Sequence, residues 1–277
     1  FETRFPAGSF KVMAQSVGYQ TRVEEFSIDG KGDIVVIMQD IPPYLLIDRD
    51  GNAEYESYYK ASLDALGLEY DYVDKISADD IMGYQNVILW TGFTSSEGMI
   101  LDFEQTMLMD YVHSGGRLFL ASQDTGYRYE TLDFYERFLG AKYISDASLI
   151  KRIVGQGMKF KLNGGDSASN QMWPDVISVS ETATDTAKVI FSYEGGGPAG
   201  LLNPFGHGKV VYFPFGFEGI NGIQNRNKVM EFVTSALRPS LKDRLDRIQW
   251  AFQNNSRLFS LLINQFQVTE SMRRELR

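Results

Sequence analysis

The sequence predicts an α/β fold: a doubly wound, mainly parallel sheet with helices on both faces. Three observations carry this. Short apolar runs at residues 44–47, 86–90, 117–121 and 209–215 have the length of buried strands. Between the first three lie segments with apolar residues at helical spacing, as in Tyr55, Tyr58, Tyr59, Leu63 and Leu66. Strands separated by helices of this length return through right-handed crossovers, which makes neighbouring strands parallel and covers both faces of the sheet.

The elements follow in order. Residues 9–15, 19–28 and 33–38 read as three short strands, with Val17-Gly18 and Asp29-Gly30 supplying turns. Pro42-Pro43 ends that pattern. Strand 44–47 leads to a helix over 54–66 that Gly67 stops, then to strand 68–73. Strand 86–90, helix 101–112 closed by Ser114-Gly115-Gly116, and strand 117–121 come next. Residues 142–180 are less regular and read as an insertion beside the sheet, with a polar loop at 163–170. Regularity returns with strands at 187–193, 199–202 and 209–215 and a helix at 225–237 that ends at Arg238-Pro239. Two amphipathic helices then follow, marked by Leu241, Leu245, Ile248 and Phe252 and by Leu258, Leu261, Leu262 and Phe266. This succession is that of a flavodoxin-like core spanning residues 43–238, preceded by a β-rich piece at 1–40 and followed by a helical tail at 239–277.

Composition narrows the function classes. The 277 residues carry 27 basic and 36 acidic side chains, a net charge of −9, which disfavours a general nucleic-acid binder because phosphate backbones repel such a field. The charge is uneven: residues 238–277 sum to +4 and the rest to −13. With no cysteine, disulfides, thiolate metal sites and cysteine nucleophiles are excluded. No apolar run is long enough for a membrane span. The first residue is Phe1, and the start reads as a cut within a longer protein.

The residues that would carry chemistry sit at a turn. Strand 118–121 runs into Ser122-Gln123-Asp124-Thr125-Gly126, a sharp strand-to-helix elbow of the kind that presents a nucleophile, but with Asp124 at its centre. Together with Leu45-Leu46-Ile47-Asp48-Arg49-Asp50-Gly51, Tyr55-Glu56-Ser57-Tyr58-Tyr59, Ser114-Gly115-Gly116-Arg117-Leu118-Phe119-Leu120-Ala121 and Gly206-His207-Gly208-Lys209-Val210-Val211-Tyr212-Phe213, the elbow resembles the class I glutamine-amidotransferase-like domains attached to secreted bacterial proteases and surface proteins. Residues 5–12 and Val17-Gly18-Tyr19-Gln20 resemble the closing strands of carboxypeptidase-regulatory-like β-sandwich domains. In active amidotransferases the elbow centre is a cysteine and a His-x-Glu pair follows a later strand. Here those positions hold Asp124, Gly216 and Glu218, so the resemblance implies a degenerate site that has lost both nucleophile and base.

Asp124 is expected to cap the following helix; the rival reading makes it a carboxylate nucleophile in a hydrolase, with Glu218 as the second acid. Gln123 and Asp124 are the expected ligand-facing pair. Asp48, Asp50 and Asn52 offer closely spaced oxygens at the carboxyl edge of the sheet, suited to a weak Ca²⁺ site; no other cofactor is implied. His113 and His207 read as structural. The expectation is therefore a non-catalytic accessory or assembly module of a larger, exported bacterial protein, placed by the resemblance outside the cell, at its surface or in the periplasm. Its partners would be upstream domains, a protease among them, and a protein or second copy bound through residues 240–277. The tail's other option is to fold back on the acidic body. A carbohydrate-binding surface is a further alternative.

Overall fold

The computed structural model describes residues 8–14, 18–20, 22–28, 37, 39–93, 99–146, 148–183 and 186–239. The chain divides into two compact units, Phe1–Leu237 and Arg238–Arg277. Nearly all of the second, including the two predicted tail helices, lies outside the described residues.

At the start, β1 (Gly8–Ala14) and β2 (Arg22–Ile28) form an antiparallel ribbon in continuous register from Gly8 opposite Ile28 to Ala14 opposite Arg22. The third predicted strand, at 33–38, falls almost wholly outside the described residues. Tyr19 and Asp40 bridge antiparallel just before the main sheet begins.

That sheet is built from β3 (Tyr44–Asp48), β4 (Tyr70–Val73), β5 (Asn86–Phe93), β6 (Arg117–Gln123), β8 (Arg152–Gly155), β9 (Met158–Lys161), β11 (Lys188–Tyr193), β12 (Pro198–Phe205) and β13 (Gly208–Phe213). Its spatial order is β4-β3-β5-β6-β13-β12-β11-β8-β9. The first five strands are parallel neighbours, and the remaining four join antiparallel, so the sheet is mixed. Alternation along each central strand divides the core in two. Leu46, Ile88, Trp90, Phe119, Val211 and Phe213 face α1 (Glu56–Ala65) and α5 (Ile223–Leu237). Leu45, Ile47, Val87, Leu89, Leu118, Leu120, Val210 and Tyr212 face α3 (Asp102–His113) and a π-helical turn at Phe134–Leu139. A strand covered on both faces buries successive residues, which is why the sequence reads as continuous apolar runs rather than alternation. A short α2 (Ala78–Ile81) joins β4 to β5, and α4 (Thr125–Tyr129) follows the elbow.

The insertion differs from its expected place. Only β7 (Ala141–Ser145) and β10 (Val176–Val179) pair apart from the main sheet, while the β8–β9 hairpin extends that sheet through β11. The hairpin is anchored by its inward residues: Ile153 lies opposite Phe160, and Phe160 meets Phe191 edge-on at 5.6 Å. Alternate Arg and Lys side chains on such short strands dilute their apolar signal.

Candidate functional site

The carboxyl ends of β3, β5, β6 and β13 meet along one edge, and each of the sequence-predicted site residues lies there. At the end of β6, Asp124 adopts a left-handed backbone, φ 58 and ψ 11. Asp tolerates that region better than most residues, and Gly126 is needed two positions on: a Cβ there would lie 2.5 Å from both Tyr135 Oη and Tyr143 Cδ2.

The expected cap is not made by Asp124. Its side chain makes no cap hydrogen bond; instead the Gly126 N–H donates to Asp175 Oδ2 at 2.7 Å, so a carboxylate 49 residues distant caps α4. The left-handed elbow leaves Asp124 among acids. One carboxylate oxygen from each of Asp124, Asp146 and Asp175 lies within 4.8 Å of the others. Burial, and then the neighbouring Asp146, push the Asp124 carboxyl up to about 6. Burial pushes Asp175 to about 8, against the pull of the Gly126 N–H.

Gln123, expected to meet a ligand, is fully buried and spends its amide on the chain: Nε2 donates to the Asn170 carbonyl and Oε1 accepts from the Trp173 N–H, both at 3.0 Å. It fastens the insertion loop to the elbow.

Glu218 belongs to a separate network. Its Oε1 accepts from Asn170 Nδ2 at 2.7 Å and Gln171 Nε2 at 3.0 Å, and its Oε2 from the Tyr59 hydroxyl at 3.2 Å. Burial nonetheless raises its carboxyl to about 7. The carboxylate folds back over Gly216, where any Cβ would overlap it. Since Gly216 has an ordinary extended backbone, φ −77 and ψ 130, only space keeps a side chain out of that position. Tyr59 continues the network by stacking on Trp90, with ring centres 4.2 Å apart.

The first loop is ordered by its own acids. Asp50 accepts from the Ala53 and Tyr55 N–H groups and from Trp90 Nε1, while Asp48 accepts from the Asp50 N–H and the Tyr72 hydroxyl. Burial and then Asp48 raise Asp50 to about 6. Asp48 and Asp50 gather with Glu56, oxygens within 4.8 Å, while Asn52 is exposed in the loop. The carboxylates of Asp48 and Asp50 already serve as acceptors for the chain itself. His113 and His207 lie near one another, ring centres 6.3 Å apart, but beside the amino ends of β6 and β13, opposite the elbow.

Asp146, Asn170, Gln171 and Asp175, unmarked in the sequence, complete the site. The one local hint was Trp173-Pro174-Asp175, an apolar and rigid pair before an acid in a polar loop. Chemically the edge offers buried carboxylates and amides, with neither thiol nor imidazole near the elbow among the described residues.

No family model matches the chain, and no curated protein matches it. Among solved structures it is similar to the exo-β-1,4-mannosidase Op5Man5 from Opitutaceae bacterium strain TAV5, at 14% identity and TM-score 0.47 over 71% of this chain and 35% of that one. It is also similar to the cytoplasmic proteins STM1381 and STM3548 from Salmonella typhimurium. Each is 12% identical over 83% of this chain; they are covered to 93% and 97% at TM-scores of 0.44 and 0.45. The chain spans about a third of the mannosidase. At these scores the likenesses assign neither family nor activity.

Proposed function

We propose that this chain is a catalytically silent accessory module with a degenerate class I glutamine-amidotransferase-like site on a flavodoxin-like core. The observation that carries the reading is that glycine stands at the position corresponding to the amidotransferase imidazole, with the Glu218 carboxylate lying over it where a Cβ would be. The order β4-β3-β5-β6-β13 of parallel strands supports the flavodoxin-like part. By the sequence resemblance, the β1–β2 ribbon is the remnant of a carboxypeptidase-regulatory-like sandwich, and the whole belongs to a larger exported protein, a protease or surface protein. Its work would be binding or assembly, with residues 240–277 as the contact.

The hydrolase alternative pairs Asp124 with Glu218, yet the bonds of Glu218 run to Tyr59, Asn170 and Gln171, whereas Asp124 faces Asp146 and Asp175. Glutamine hydrolysis and a panel of chromogenic esters and glycosides, run on the wild type and on Asp124→Asn, test the proposal. We expect no turnover distinguishable between the two proteins. Turnover that Asp124→Asn abolishes would make the domain an enzyme.

A further inference from the structure

We propose that Asp124, Asp146 and Asp175 form a binding site for one hard divalent cation of the Ca²⁺ class. The three acids come from separate segments, the elbow after β6, the end of β7 and the approach to β10, so only the fold brings them together. Oxygen atoms within 4.8 Å of one another are no farther apart than two ligands on opposite sides of a cation with bonds of about 2.4 Å.

Proximity of acids alone would carry little, since the Asp48, Asp50 and Glu56 group shows the same spacing. The difference is in Asp175. This side chain is 0% exposed; its Oδ2 accepts from the Gly126 N–H at 2.7 Å and from the Tyr212 hydroxyl at 3.4 Å, and the Tyr127 N–H also acts on the carboxyl. Its other oxygen, Oδ1, is buried with no hydrogen-bond partner. A buried polar oxygen without a partner is costly, and a divalent ion held among the three acids is a partner that would satisfy it. In the first loop, by contrast, both oxygens of Asp48 and of Asp50 accept hydrogen bonds. Asp124 and Asp146 are only partly buried, which leaves a route for the ion and for the waters that would fill its remaining positions.

The full chain, dialysed against chelator, is titrated with Ca²⁺ and separately with Mg²⁺ by calorimetry and thermal melting. One equivalent of binding with either ion is expected, with a melting temperature that rises with ion concentration, because a ligand of the native state stabilises by mass action. Asp175→Asn, which keeps an acceptor for the Gly126 N–H, should abolish binding, Asp146→Asn should weaken it at least tenfold, and Asp50→Asn should leave it unchanged. Tb³⁺ emission excited through tryptophan gives the location: the Trp173 carbonyl accepts from the Asp124 N–H, so Trp173→Phe should remove most of the signal. Absence of heat and of any melting shift at millimolar Ca²⁺ and Mg²⁺ would overturn the site. So would binding that survives Asp146→Asn at full strength or is lost in Asp50→Asn. If Asp175→Asn does not fold, Asp146→Asn, at a partly exposed position, decides.

Discussion

Glu218 shows how one residue changes meaning between sequence and structure. In the chain it looks like the surviving acid of a lost catalytic set; in the fold it is fully buried, holds three donors and takes up the space above Gly216. Its carboxyl is raised from 4.5 to about 7, chiefly by burial, so the folded protein holds a proton there that the unfolded chain releases above the ordinary carboxylate range. The stability contributed by this proton is complete below about pH 4.5 and is lost as pH rises through about 7. Glu218→Gln mimics the protonated acid at every pH. Melting curves should therefore fall less steeply from pH 6 to pH 8.5 in the variant than in the wild type; parallel curves would mean that Glu218 is already charged at pH 6. The sequence singled out Glu218, Gly216 and Asp124 because each follows an apolar strand at a short, recognisable turn. It did not reveal Asp175, whose partner Gly126 is 49 residues away, since no local pattern records which distant acid will meet a helix end.

At the scale of elements, the insertion loop read as a plain polar connection holds the site together. Its backbone bonds to the β13–α5 turn through Asn163 N to the Gly219 carbonyl and Ala168 N to the Glu218 carbonyl. Asp166 then caps α5, accepting from the Gly222 N–H at 2.9 Å and the Ile223 N–H at 3.2 Å, and pairs with Arg226 Nη2 at 3.0 Å. Arg226 is 4% exposed, so removing its partner leaves a buried charge as well as an open helix end. Asp166→Ala should cost about 2 kcal/mol, a fall of roughly 4–8 °C in melting temperature at pH 7. Its partner Arg226 holds the Asp166 carboxyl below its usual range, so this difference should shrink only in acid, as pH falls through the depressed value. A variant that melts with the wild type at pH 7 would remove Asp166 from the account. The parallel strands were legible because burial on both faces writes them as apolar runs. The β8–β9 hairpin was not, because four-residue strands alternating Ile153 or Phe160 with exposed Arg and Lys look like loop until their neighbour β11 is known.

For the whole molecule, residues 1–237 form a compact unit of their own, and among the described residues no helix is long and apolar enough to cross a membrane. The proposed assembly role for residues 240–277 predicts that removing them leaves core melting unchanged and shifts the protein to a smaller species in light scattering. A truncated chain that keeps its assembly state but melts earlier would assign the tail to the core. The proposed catalytic silence rests on the missing thiol and imidazole together with the Glu218 carboxylate filling the space over Gly216, and a double-mutant cycle reads that space. Gly216→Ala, at a backbone conformation any residue adopts, should lower the melting temperature sharply in the wild type and far less in the Glu218→Ala background, because the Cβ and the carboxylate compete for the same volume. A Gly216→Ala protein that melts with the wild type would contradict the account, since the Glu218 carboxylate would then not be packed over Gly216.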